Sequence, residues 1–193
     1  MRLILPRARW SMPSGKGLVY LTFDDGPNPD ITPQILDVLK EFDMRASFFL
    51  LGQQADKYPE IVERMRREGH TVGHHSYSHL SGWKTDQAAY LADVKRAADV
   101  IGGRLFRPPY GRITRGQFAA LAKEYDVYMW SLMPGDFDPD VSADECLNRL
   151  VRHSRQGDIV VMHDNMKSAA TVRQVLPKYL EYLRKRGWSS EGL

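Results

Sequence analysis

The sequence predicts an α/β fold in which parallel strands close into a barrel, and three observations predict it. Short apolar runs alternate with helix-period segments along the whole chain, with no repeat, low-complexity tract or linker. Alternation at this spacing joins parallel strands through right-handed crossovers. The residues that carry chemistry fall just after the apolar runs: Asp24 and Asp25 after the first, His74, His75 and His79 after the third, Arg107 at the fourth, Asp136 after the fifth, and His163 and Asp164 at the sixth. In a parallel barrel those carboxyl ends meet at one mouth, whereas in an open sheet they spread along a crevice. Finally, Asp24-Asp25-Gly26-Pro27 follows the first run where a nucleotide-binding sheet would have a glycine-rich loop. Two carboxylates there repel a phosphate.

Taken in order, Leu18–Phe23 is the first strand, stopped by Asp-Asp-Gly-Pro. A helix follows over Pro33–Glu41, with Thr32 as its cap and Pro33 at its first position. Ala46–Leu51 is the second strand, and Pro59–Glu68 a helix closed by Gly69. Thr71–Gly73 is a short third strand. Thr85 caps a long helix to Ile101, in which Leu91, Val94, Ala98 and Ile101 share a face. Leu105–Arg107 is the fourth strand, cut by Pro108-Pro109. Thr114–Glu124 is helical, and Asp126–Ser131 is the fifth strand. Ser142 and Glu145 form a capping box for a helix reaching His153. Asp158–Met162 is the sixth strand. Thr171–Arg186 is the last helix, with Val172, Val175, Leu176, Tyr179 and Leu183 inward. A seventh strand, if formed, comes from Trp188 onward.

The 193 residues suit one domain, 1–193, with its core at about 18–187. The single cysteine, Cys146, excludes an intramolecular disulfide and a cysteine-rich zinc module. Lys and Arg exceed Asp and Glu by only three, and the basic clusters at Arg64, Arg66, Arg67 and at Arg184, Lys185, Arg186 lie on helices with acidic neighbours. That pattern describes solvated faces and gives no case for nucleic acid. No run approaches the roughly 18 apolar residues of a membrane span, and the stretch Leu3–Leu5 is too short for a secretory leader. The expectation is a soluble protein, cytoplasmic if the chain is full length and otherwise secreted with its leader removed.

With cysteine excluded, a metal site must use histidine and carboxylate. His75 and His79 stand four apart and share a face if their turn is helical; His70 and His74 have the same spacing, but His70 begins a strand and reads as structural. Two histidines and one Asp leave open positions for water, the pattern of a catalytic rather than a structural zinc site, with cobalt, nickel or manganese as alternatives. Adjacent carboxylates repel, so Asp24 and Asp25 must divide tasks: one ligates a cation and the other takes a proton. His163, ending an apolar strand, is placed to protonate a leaving group, and Asp136 is the carboxylate to orient it.

Together, Thr22-Phe23-Asp24-Asp25-Gly26-Pro27, His75-Ser76-Tyr77-Ser78-His79, Arg107-Pro108-Pro109-Tyr110 and Val161-Met162-His163 resemble, in order and spacing, the motifs of the NodB-type polysaccharide deacetylases (carbohydrate esterase family 4). The resemblance implies a distorted (β/α) barrel of six or seven parallel strands, which suits a chain shorter than the typical ~250-residue barrel. It implies that Asp25, His75 and His79 bind the metal, that Asp24 is the general base and His163 the general acid, and that Arg107 holds Asp24 ionised and aligned. It also implies that the Tyr110 backbone N–H meets the oxyanion and that Val161 lines the acetyl-methyl pocket. Arg45 is a further candidate for a salt bridge in the same region. The family's fourth motif usually carries two Asp and a Trp; here Asp136 matches the second Asp, while Met133 and Phe137 stand for the others, which changes the pocket wall. His74 stands where the family often has Asn.

The implied activity is removal of N-linked acetyl groups from an N-acetylated oligo- or polysaccharide of the chitin or peptidoglycan type. Alternatives are an acetylxylan-type O-deacetylase, a small-amide hydrolase and, in another class, a catalytically silent carbohydrate-binding protein. Trp83, Tyr110 and Phe137 are candidate sugar platforms, and Trp130 reads as core.

Overall fold

A computed structural model describes Leu5 and residues 7–193. The apolar stretch Leu3–Leu5 therefore lies outside the described residues except for Leu5. The strands are β1 (Leu18–Asp24), β2 (Ser47–Leu50), β3 (Thr71–His74), β4 (Leu105–Phe106), β5 (Asp126–Val127), β6 (Ile159–His163) and β7 (Ser189–Ser190). The helices are α1 (Thr32–Glu41), α2 (Gly52–Lys57), α3 (Pro59–Arg67), α4 (Gln87–Ile101), α5 (Arg115–Leu121), α6 (Ala143–His153) and α7 (Ala169–Lys185).

Six strands run in the order β5-β4-β3-β2-β1-β6 and every pairing is parallel. This is chain order read around a ring that opens between β5 and β6, so the sheet curls into a distorted (β/α) barrel. β7 pairs with the base of β1, Leu18 opposite Ser189 and Val19 opposite Ser190. The gap between β5 and β6 is spanned by the chain after β5: Leu132 forms a parallel bridge to Val160, and Val161 N–H donates to the Leu132 carbonyl at 3.0 Å. That crossing shortens the expected strand 126–131 to two residues, because Ser131 and Leu132 give their N–H groups to Ile159 rather than to β4.

The apolar face of the sheet packs on α1, α3, α6 and α7 in one cluster that includes Phe23, Phe48, Leu36, Met65, Leu150, Met162, Tyr179 and Leu183. Each fully buried large side chain contributes about 1.5–3 kcal/mol. A second cluster, with Tyr90, Val94, Phe106, Phe118 and Met129, covers the β4–β5 side. Inside the curl are Phe49, Tyr128 and Ile159. No helix among the described residues is long and apolar enough to cross a membrane.

Several boundaries differ from the sequence expectation. The α1 cap is Ile31, without a side-chain cap bond, because the Thr32 hydroxyl is committed elsewhere: it donates to Asp164 Oδ2 at 2.6 Å and accepts from Asn28 N–H at 2.8 Å. Asp86, not Thr85, caps α4 by accepting from Ala89 N–H, while Thr85 Oγ1 donates to the Ser81 carbonyl. The buried face of α4 is Tyr90, Val94, Ala97 and Ile101, rotated from the one expected. α5 starts on a complete Thr114–Gln117 capping box but ends at Leu121. On α6 only half of the expected box forms: Ser142 accepts from Glu145 N–H, but the Glu145 carboxylate pairs with Arg149. α2 was not anticipated; it is six residues with no periodicity to read.

Candidate active site

The site begins at the end of β1, where Asp24 is in register with Phe49 of β2 and His163 of β6. Asp24 is buried, and its Oδ1 accepts from Arg107 Nη1 at 2.7 Å. Arg107 follows β4 and is wholly buried. The same Nη1 also donates to Thr22 Oγ1 at 2.6 Å, and Nη2 donates to the Met129 carbonyl at 2.9 Å. Its guanidinium lies 4.1 Å from the Phe49 ring centroid. Burial pushes the Arg107 pKa down, opposed by the charge and hydrogen bond of Asp24. The guanidinium thereby fixes one Asp24 oxygen and leaves Oδ2 facing His75 Nε2 at 3.9 Å.

Asp25 turns away from the strand with φ +84°, a left-handed conformation unusual for a residue with a Cβ. The turn brings its carboxylate among the histidines: Oδ1 is 3.2 Å from His79 Nε2 and 3.8 Å from His75 Nε2. His75 and His79 come together through a loop with Ser76 at φ +64° and His79 at φ +61°, not through the helical turn that their spacing suggested. His75 Nδ1 donates to the Arg107 carbonyl at 2.7 Å, so the lone pair sits on Nε2, which faces Asp25. Burial lowers His75 to about 4, against the raising influence of Asp24 and Asp25, and it is neutral at neutral pH. Burial alone would raise Asp25. The His79 contact and the charges of His75, His79 and His163 outweigh it and hold Asp25 well below the usual carboxylate range.

These three residues fit a metal ion. One ligand atom from each of Asp25, His75 and His79 lies within 4.8 Å of the others. Among the described residues Asp25 Oδ1 is buried and has no aligned hydrogen-bond partner, the nearest imidazole nitrogen being His79 Nε2 at 3.2 Å. A neutral imidazole beside an ionised, orphaned carboxylate oxygen is the protonation state a cation requires.

Across the mouth, His163 ends β6. Its N–H donates to Asp136 Oδ2 at 2.7 Å and its Nδ1 donates to Asp136 Oδ1 at 3.1 Å, leaving Nε2 for the cleft. Burial would lower His163; the hydrogen bond and charge of Asp136, with Asp24 and Asp25, reverse this and raise it to about 9. Phe137 stands edge-on to the His163 ring at 4.9 Å.

The cleft holds about 800 Å³ and is lined by Asp24, Asp25, His75, His79 and His163 at its base. Tyr110, Trp130, Met133, Phe137 and Met166 form its apolar walls. Tyr110 is exposed, has φ +59°, and its ring lies 4.5 Å from that of His79. Trp130, read from the sequence as core, does pack half-buried against two core clusters, and its remaining surface lines the cleft, where the crossing from β5 to β6 carries it. Trp83 is not on the lining; its ring lies 5.3 Å from the Arg112 guanidinium. Val161, expected to line the acetyl-methyl pocket, is fully buried and not on the cleft lining; it lies two residues before His163 on the same strand face.

Arg45 is not near the site. It precedes β2 at the opposite end of the barrel, 4.0 Å from Glu191. His70 is also remote, with Nδ1 accepting from Ala46 N–H. His74 is enclosed by Phe106 and Tyr125, at 5.1 and 4.9 Å between ring centroids, with no hydrogen-bond partner for either ring nitrogen among the described residues.

Sequence reasoning missed Thr22 and Asn165. Thr22 is two residues before Asp24 on one strand face, a signal that strand alternation offers. Asn165 Nδ2 donates to Asp25 Oδ2 at 2.7 Å, and only the convergence of the β1 and β6 ends brings them together. Asp164, beside it, is wholly buried under Gly26. Burial and the Asp25 charge raise it to about 7, while Thr32 and backbone N–H groups pull the other way.

Comparison with known proteins agrees with this geometry. A family model described as polysaccharide deacetylase matches residues 11–130. A peptidoglycan-N-acetylglucosamine deacetylase of Bacillus cereus is 32% identical over 193 residues, covering 93% of this chain and 87% of the relative. A chitooligosaccharide deacetylase of a Bradyrhizobium species is 34% identical over 197 residues, covering 94% and 89%. The crystal structure of a peptidoglycan N-acetylglucosamine deacetylase superposes with a TM-score of 0.86 at 31% identity, covering 97% of this chain and 91% of that one. The chain belongs to the polysaccharide deacetylase family, enzymes that cleave the amide bond of N-acetylated glycans.

Proposed function

We propose that residues 18–187 form a single catalytic unit, a divalent-metal-dependent hydrolase that removes N-linked acetyl groups from a chitin-oligosaccharide or peptidoglycan type of glycan and releases acetate. One arrangement carries this reading. The Asp25/His75/His79 cluster, whose Asp25 Oδ1 has no hydrogen-bond partner among the described residues, sits between a carboxylate held by Arg107 and an imidazole held by Asp136.

Asp25, His75 and His79 would hold the ion, zinc being the natural choice for two imidazoles and a carboxylate. A cation bound there would supply an acidified water and a polarised acetamide carbonyl. Asp24 Oδ2, free because Arg107 occupies Oδ1, takes the proton of the attacking water. The backbone N–H of Tyr110 donates to the carbonyl oxygen as it gains charge. As the carbon–oxygen bond forms and the carbon–nitrogen bond breaks, His163 Nε2 gives its proton to the departing nitrogen, leaving acetate and a free amine. Tyr110 and Phe137, with Trp130, offer faces for sugar rings, and Val161 underlies the acetyl methyl.

Acetate release from N-acetylglucosamine oligomers, with and without chelator, tests the reading. Chelation is expected to abolish release and zinc to restore it. Release that survives thorough chelation, or is undiminished in Asp24→Ala, would overturn it.

A further inference from the structure

Asp25 has two carboxylate oxygens in unlike surroundings. Oδ1 faces both histidines and accepts no aligned hydrogen bond from the described residues. Oδ2 accepts from Asn165 Nδ2 at 2.7 Å. The orientation of the Asn165 amide is fixed by its other end, where Oδ1 accepts from Ser168 N–H at 3.1 Å, at the start of α7. Flipping the amide would set its carbonyl against a carboxylate and its NH₂ against an N–H, losing both bonds.

We propose that Asn165 is a positioning residue that makes Asp25 a one-oxygen ligand. With Oδ2 held by the amide, only Oδ1 is offered to the ion, and the coordination position that a chelating carboxylate would take stays open for water and substrate. This rests on the metal-dependent reading above. The hydrogen bond also resists rotation of a carboxylate carried on a left-handed backbone. Partners that orient metal ligands are typically worth 10–100-fold in metal affinity.

The test measures zinc affinity by chelator competition, and the visible spectrum of the Co²⁺-loaded protein, for the wild type, Asn165→Ala and Asn165→Asp. Asn165→Asp keeps an acceptor for Ser168 N–H but replaces the donor to Asp25 by a second carboxylate oxygen, so it preserves the cap of α7 while disrupting the hold on the ligand, and Asn165→Ala removes both without adding charge. Asn165→Ala is expected to weaken zinc 10–100-fold and, having lost the acceptor for Ser168 N–H, to lower the metal-free Tm by a few degrees, and both variants are expected to alter the Co²⁺ bands, which report coordination number. Zinc affinity in Asn165→Ala within twofold of wild type, with unchanged Co²⁺ spectra in both variants, would overturn the proposal. So would a wild-type spectrum in Asn165→Asp alone, since that assigns Asn165 to the helix. A wild type that takes up neither ion overturns the metal-dependent reading itself, which is a different result.

Discussion

Asp136 grips His163 through both the backbone N–H and the ring, and that double contact decides which proton the imidazole can give. With Nδ1 committed, Nε2 is the nitrogen that faces the cleft, and the neighbouring carboxylates keep the ring protonated to about pH 9. Asp136→Asn should lower that value toward the ordinary 6.5, which NMR titration of the metal-free protein measures, and should move the alkaline limb of kcat/KM to lower pH. The linkage has a definite sign. His163 is raised in the folded state, so its contribution to stability is complete below about pH 6.5 and is lost as pH rises through about 9. The gap between wild-type and Asp136→Asn urea midpoints should therefore be largest near pH 6 and close over that interval. Arg107 is the other residue on which the site turns. Replacing it by Leu leaves Asp24 buried without its partner, and loss of one member of a buried pair costs about 3–5 kcal/mol. Urea denaturation should show that loss together with loss of acetate release. At this scale most of the site was legible, because Asp24, Asp25, His75, His79, Arg107, Asp136 and His163 stand at run ends in a recognisable order. Arg45 misled because its chain neighbours lie at the other end of a strand, and four residues of β2 separate the two ends of the barrel.

At the scale of elements, the loops after the strands do the precise work. The turn after β1 is wedged against the loop after β6: a Cβ on Gly26 would collide with Asp164 Oδ2. Thr32, at the head of α1, holds the same carboxylate. Thr32→Val removes that donor and strands a buried carboxyl oxygen, which costs about 1–3 kcal/mol; a shifted urea midpoint with an unchanged m-value would show it. The misplaced α1 cap has the same origin. Thr before Pro is a good local cap, but a buried Asp164 competes for its hydroxyl and wins because an unpaired buried carboxylate is the larger penalty. Likewise Asp126–Ser131 reads as one strand, yet closing the ring takes Ser131 and Leu132 to β6. Strand identity was legible from apolar runs; strand ends were not, since they depend on which neighbour offers the next carbonyl.

For the whole molecule, the curled sheet brings groups from the ends of β1, β3, β4 and β6 to one cleft of about 800 Å³. An ion that binds only this assembled cluster must stabilise the fold by mass action. At a free zinc concentration 100-fold above Kd the gain is about 2.7 kcal/mol. Zinc should raise the Tm, chelator should reverse the rise, and Asp25→Ala should abolish it, as differential scanning fluorimetry can show.

The sequence by itself determined the alternation of strands and helices, the barrel class and the roster of chemical groups, because hydrophobic periodicity and residue type are local properties. Cys146, the single cysteine, is buried in α6, and burial, with the charge of Asp136, pushes its thiol pKa up to about 12. Only the tertiary structure decided the pairings. Asn165 meets Asp25 across 140 positions and Arg107 meets Thr22 across 85. Those contacts arise from strand register and from left-handed turns at Asp25, Ser76, His79 and Tyr110, where side-chain direction is set by the packing of other elements and not by the residues' own propensities.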